Sequence, residues 1–152
     1  MTRLLMIFTF LTLSAQCKSD KPQETTNTET SVEETDLPLL PSEDLQNLYA
    51  NATHVDYTFY HYSFSMSYDN QKSIRSVLNF VNQNSSVHDV NCAPLCRMIF
   101  LQNGQIIMEA ELFVSENCAH YVWYLENQKK YANVMSPQGK QHYLQIINQF
   151  TK

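Results

Sequence analysis

The chain has 152 residues, 15 Asp and Glu against 10 Lys and Arg, a formal net charge of −5, 12% aromatic residues and two glycines. That length supports one folded core rather than two, two glycines leave no material for a phosphate-cradling loop, and the lack of any basic stripe argues against nucleic-acid binding. The charge is also uneven. Lys18 to Asp44 holds two lysines against eight acids, whereas from Leu45 onward seven acids meet seven bases.

Arg3 opens the chain, and Leu4, Leu5, Met6, Ile7, Phe8, Phe10, Leu11 and Leu13 form an apolar run closed by Ser14-Ala15-Gln16-Cys17. A short positive start, an apolar core and a small or polar end make a secretory leader, too short for a membrane span. Ending in a cysteine, the leader resembles a bacterial lipoprotein signal. The likeness covers residues 1–20, with Lys18-Ser19-Asp20 similar to the charged tract that follows the lipidated Cys in Bacteroidota lipoproteins. It departs from the pattern at Gln16, where a small residue is usual, and at Leu13, which stands four residues before the cysteine instead of three. The resemblance implies a signal peptide over 1–16, a lipid on Cys17, and a domain held to a membrane in the cell envelope. The alternative is an ordinary leader, cut after Ala15 or Gln16, that releases a soluble secreted protein.

Residues 17–41 read as an acidic disordered tether. Lys18 to Asp36 contains a single aliphatic residue, Val32, too little to offset the entropy of ordering the segment. Leu37-Pro38-Leu39-Leu40-Pro41 ends the tether at the domain edge. One globular domain is then expected over 42–152, long enough to bury roughly two thirds of its unfolded surface.

Ser42 followed by Glu43 and Asp44 starts a short helix over 43–50. His54 to Met66 has strand character, but its apolar parity slips partway, which predicts a bulge near 59–61. Asp69 caps a helix of about 70–82, where Ile74, Val77, Leu78 and Val81 share one face, and 83–91 is a loop. Residues 97–101 and 106–114 form a hairpin across Asn103-Gly104. A two-residue turn there pairs Leu101 with Ile106 and Met98 with Glu109. One face then carries Ile99, Leu101, Ile106, Met108, Ala110, Leu112 and Val114 as core. The other carries Met98, Phe100, Ile107, Glu109, Glu111 and Phe113. Strands over 120–125 and 131–135 follow, joined by residues 126–130. Ser136-Pro137 then opens a last helix with Tyr143, Leu144, Ile147 and Phe150 inward. The class is α+β: an antiparallel sheet of about five strands with two or three helices on one face.

Three groups of residues bear on chemistry. The hairpin register brings Cys92, Cys96 and Cys118 to one end of the sheet. Outside the cytoplasm a disulfide is expected, and strand level selects Cys92–Cys118, with Cys96 left over. The alternative adds His120 and makes Cys92, Cys96, Cys118 and His120 a soft-metal site for zinc or copper. Glu109 and Glu111 share a strand face and would be the pair for acid–base chemistry, or else the wet face of an antiparallel sheet. Met98, Phe100, Ile107 and Phe113 on the same face form an apolar patch suited to a partner. No cofactor motif occurs. The expectation is a non-enzymatic envelope lipoprotein whose membrane contact is the lipid on Cys17 and whose partner is a protein or a glycan.

Overall fold

Alternating apolar side chains separated by tight turns specify a sheet, and helices with one apolar face need it as a floor. A computed structural model describes residues 37–84 and 91–150. The leader over 1–16, Cys17 and the tether up to residue 36 lie outside the described residues. The chain runs α1 (Ser42–Asn51), β1 (His54–Phe59), β2 (Ser65–Tyr68), α2 (Gln71–Leu78), β3 (Cys96–Gln102), β4 (Gln105–Val114), β5 (Ala119–Leu125), β6 (Gln128–Val134) and α3 (Pro137–Phe150). All six strands make one antiparallel sheet in the order β2-β1-β3-β4-β5-β6. The α+β class stands, with six strands instead of about five.

The extra strand comes from the region expected to hold one bulged strand. Tyr60 to Phe64 is the loop of a hairpin, which sets Val55 opposite Tyr68 and Tyr57 opposite Met66. A hairpin turn and a bulge both swap the inward parity, so alternation alone does not separate them. Val55, Tyr57 and Phe59 are buried from β1, and Tyr62, Phe64, Met66 and Tyr68 pack half-buried against the same core.

The second difference lies in the β3–β4 hairpin. Asn103 (φ 51°) and Gly104 (φ 81°) are both left-handed, as a two-residue turn requires, and Leu101 lies opposite Ile106. The register then slips by one residue: Phe100 lies opposite Met108, Met98 opposite Ala110 and Cys96 opposite Leu112. Ile107 is the extra residue of a β-bulge. The slip turns Cys96, Met98 and Phe100 inward alongside Met108, Ala110, Leu112 and Val114. It leaves Ile99 and Leu101 only half-buried. Its gain is aromatic burial, because Phe100 then stacks on Trp123 with ring centroids 6.1 Å apart.

All three helices cover one sheet face. Leu45 and Leu48 of α1, Ile74, Val77 and Leu78 of α2, and Tyr143 and Ile146 of α3 join a single core with the inward strand residues. Helix α2 is capped by Asn70, whose side chain accepts from the Ser73 N–H at 2.9 Å, one residue later than the expected Asp69. Helix α3 starts as expected, with the Gly139 N–H donating to Ser136 Oγ at 3.2 Å. Its inward stripe is Tyr143 and Ile146, with Leu144 and Ile147 half-buried and Phe150 exposed. Gly139 is buried, and a Cβ there would meet Phe80 Cβ at 2.6 Å, so the close packing of α3 on Phe80 requires glycine.

The two sheet edges are treated differently. Along β6 the Ala132 N–H donates to the Pro38 carbonyl at 2.9 Å and the Val134 N–H to that of Asn84 at 3.2 Å. Leu37–Leu40 thus belongs to the folded body, and Leu40 is buried in its core. The fully buried Asn133 ties these pieces together. Its Oδ1 accepts from Trp123 Nε1 at 2.9 Å and from the Leu40 N–H at 3.2 Å, and its Nδ2 donates to the Asn82 carbonyl at 2.8 Å. Asn133→Leu keeps the volume but strands two donors and an acceptor, each worth about 1–3 kcal/mol when buried and unpaired. Urea denaturation of the variant is expected to show a loss of at least about 3 kcal/mol. A stability equal to wild type would show that Asn133 does not anchor the edge.

Candidate functional site

The sheet face away from the helices divides into two zones. At one end, Phe113, Cys118 and Val122 are buried and packed by Leu37, Cys92 and Tyr124, and the His120 ring stacks on Phe113 with centroids 4.6 Å apart. Next to this covered end lies a polar and aromatic cluster built from three strands and a loop. Arg97 lies opposite Glu111 in the ladder, and Tyr124 opposite Glu109. The side chains nevertheless pair diagonally. The Arg97 guanidinium grips Glu109 with two bonds of 3.1 and 3.0 Å. Tyr124 Oη donates to Glu111 Oε2 at 2.6 Å, and Tyr60 Oη, reaching in from the β1–β2 loop, donates to Glu111 Oε1 at 2.8 Å. Sheet twist brings diagonal neighbours on one face within reach of long side chains. The guanidinium also sits 4.5 Å from the Tyr124 ring centroid, a cation–π contact.

The cluster is half open. Arg97 and Glu109 keep 24% and 19% of their side-chain surface, and Tyr60 keeps 41%. Burial, reinforced by the hydrogen bond and charge of Glu111, pushes the Tyr60 phenol up to about 12, and the same causes raise Tyr124 further. The bidentate bond to Glu109 raises the Arg97 guanidinium, so that its charge persists. Toward β2 the face continues with Asp56, which accepts from Ser67 Oγ at 2.6 Å.

The expected apolar patch does not form. Met98 and Phe100 are 1% and 0% exposed and point into the helix-side core, because the Ile107 bulge reverses β3. Phe113 is on the outer face but 2% exposed beneath the disulfide end, and Ile107 is half-buried against the helix-side core. The four residues therefore share no open surface. Glu109 and Glu111 do share the outer face, but every carboxylate oxygen is engaged, two by Arg97 and two by tyrosine hydroxyls. Sequence reasoning missed Arg97, Tyr60 and Tyr124 as their partners. The signal was an arginine one hairpin away from two same-face glutamates, which the register without the bulge hid.

The cysteines separate across the sheet. Cys92 and Cys118 form a disulfide with Cα atoms 6.4 Å apart. Cys96 is free and fully buried on the helix side. Its thiol is raised by burial, and it lies near Tyr57, Tyr121 and Tyr143, three phenols that burial also holds well above their usual range. The four-ligand reading of Cys92, Cys96, Cys118 and His120 is thereby corrected: two ligands are spent on each other, and the third lies behind the sheet. Among the described residues no group of three or more His, Cys, Asp or Glu is placed to hold a metal ion, and no helix is long and apolar enough to cross a membrane.

Compared with known proteins, the chain matches no family model, no curated protein and no solved structure.

Two predictions follow from the geometry. The bridge closes a loop across 26 positions, so a Cys92→Ser, Cys118→Ser double variant should lose about 3 kcal/mol in denaturant unfolding. An unchanged midpoint would mean that the loop is held by packing alone. Tyr60 carries a folded-state pKa above its unfolded value, so its contribution is full below pH 10 and declines as pH rises through about 12. The stability difference between wild type and Tyr60→Phe should be flat below pH 10 and shift against wild type above it. A flat difference across the whole range would remove Tyr60 from the cluster.

Proposed function

We propose that this chain is an exported, lipid-anchored binding module that does no covalent chemistry and meets a protein or glycan partner with its outer sheet face. The observation that carries this reading is the state of the Arg97–Glu109–Glu111–Tyr60–Tyr124 cluster. Both carboxylates are already saturated with donors, which leaves no free base for acid–base catalysis. Arg97 and Tyr60 nevertheless keep part of their surface open, and both residue types are favoured at recognition surfaces. The apolar patch expected from sequence plays no part, since its four residues share no open surface.

The anchoring half of the proposal draws on the leader and on the Cys92–Cys118 bridge, a bond that persists in oxidising compartments outside the cytoplasm. With a lipid on Cys17, three cysteines remain, and one bridge plus the buried Cys96 accounts for all of them. An acidic tether would hold the domain off the membrane through self-repulsion.

Intact mass of the mature protein from membranes tests the anchor. The expected product begins at Cys17, carries acyl chains and lacks two hydrogens for the disulfide. A product beginning elsewhere with no acyl mass would replace the lipoprotein with a soluble secreted protein. Cross-linking in cells tests the surface. A photoreactive group at exposed Thr58, beside the cluster, should yield an adduct that Arg97→Ala or Tyr60→Ala removes, whereas the same group at Lys130 should not. Equal adducts from both positions would sink the outer face as the binding surface.

A further inference from the structure

We propose that the domain self-associates through β2, two copies pairing their edge strands antiparallel across a two-fold axis at Met66. The starting observation is the asymmetry of the sheet edges. The β6 edge is occupied by the Pro38 and Asn84 carbonyls and carries Lys129 and Lys130. The β2 edge pairs with β1 on one side and with no other described strand. An edge with unpaired N–H and C=O groups is a template for another strand unless a charge, a proline or a cover blocks it.

The backbone groups that face outward can be identified. The Tyr60 N–H donates to the Leu95 carbonyl, continuing the β1–β3 ladder in which Phe59 lies opposite Cys96. Even-numbered residues of β1 therefore turn their backbone toward β3, and Val55 and Tyr57 turn theirs toward β2. Their partners Tyr68 and Met66 face back toward β1. Ser65 and Ser67 are left with N–H and C=O directed away from the sheet.

This short edge is complementary to itself. With a two-fold axis at Met66, Ser65 of one copy lies opposite Ser67 of the other, and the outward groups close four backbone hydrogen bonds. On the helix side the row becomes Phe64 opposite Tyr68, Met66 opposite Met66, and Tyr68 opposite Phe64. These three residues are the half-buried ones that pack against the core from its margin, so a second copy finishes their burial. Phe150, 59% exposed, stacks on Phe64 at 4.3 Å and extends the apolar margin. On the outer side only serines meet. From Tyr57 to Tyr68 the sequence has no Asp, Glu, Lys, Arg or Pro, so self-pairing sets no like charges opposite one another, and the one gatekeeper present is the shortness of the four-residue strand. An isologous contact of this kind closes at two copies and does not propagate. It is also small, which places it among weak, concentration-dependent interfaces.

Sedimentation equilibrium of the full chain carrying Cys17→Ser, which removes any lipid, tests the proposal over micromolar to millimolar concentration. A monomer–dimer equilibrium is expected. Ser65→Pro, which deletes an outward N–H, and Met66→Lys, which sets two charges face to face, should each weaken it at least about tenfold with the circular dichroism spectrum retained. Register is tested by cross-linking under mild oxidant. Met66→Cys should give covalent dimers, because non-hydrogen-bonded partners bring their Cα atoms to about 4.5 Å, and Ser65→Cys should give few. Should either edge variant fail to fold, the cysteine pair decides. A monomer at every concentration, a dimer indifferent to both edge substitutions, or equal cross-linking of the two cysteine variants would overturn the proposal.

Discussion

One buried side-chain amide holds the assembly of this domain. Asn133 lies at the outermost strand, where a sheet ordinarily ends in unpaired backbone, and its three hydrogen bonds reach Trp123, Leu40 and Asn82. A buried polar group with all its partners met is a specificity device, because any other packing leaves those groups stranded. Here it recruits two connecting segments to the β6 edge. The Leu37–Leu40 segment and the Asn82–Asn84 segment then supply the carbonyls that finish the ladder. The apolar core provides the driving force, and Asn133 selects which chain segments share in it.

With that edge closed, Leu37 is held over the outer face and the rest of the surface is shaped by what it leaves open. The disulfide end is sealed by Leu37 and Cys92 above Phe113 and Val122. The adjoining zone is polar, and its acids are bound to an arginine and two tyrosines rather than to water alone. Paired charges on a half-exposed face add little to stability, so a five-residue network there has more to do with surface shape and chemistry than with folding. At the far end, no other described strand pairs with the outer edge of β2. Among the described residues one sheet therefore presents a closed edge, an open edge and a face graded from apolar to polar.

Much of the fold was legible in residue order. Asn103-Gly104 marks its turn because two consecutive left-handed residues are needed there, and Ser136-Pro137 marks a helix start for equally local reasons. The helix stripe Ile74, Val77 and Leu78 needed only a period of 3.6 residues. The missed turn at Tyr60–Phe64 contains no glycine, proline or asparagine, and its aromatic residues suit a strand as well as a loop that lies on one. The turn at Glu126–Asn127 is similarly unmarked by glycine, although both residues have positive φ (52° and 62°), and β6 accordingly starts at Gln128 instead of Tyr131.

The candidate site was harder to read, because a single inserted residue reverses a strand. Glu109 and Glu111 share a face in either register, since both lie on β4 beyond the bulge, and the Cys92–Cys118 pairing needed only approximate strand level. Composition and periodicity thus account for the α+β class, the disulfide and the paired acids: each depends on neighbours in sequence or on coarse alignment. The inward turn of Met98 and Phe100, the diagonal grip of Arg97 on Glu109 and the reach of Tyr60 to Glu111 depend on the Ile107 bulge and on the β1–β2 hairpin. Those features arise from competition among non-local contacts. Burying Phe100 against Trp123 outweighs an unbroken ladder, and no local pattern in β3 or β4 encodes that balance.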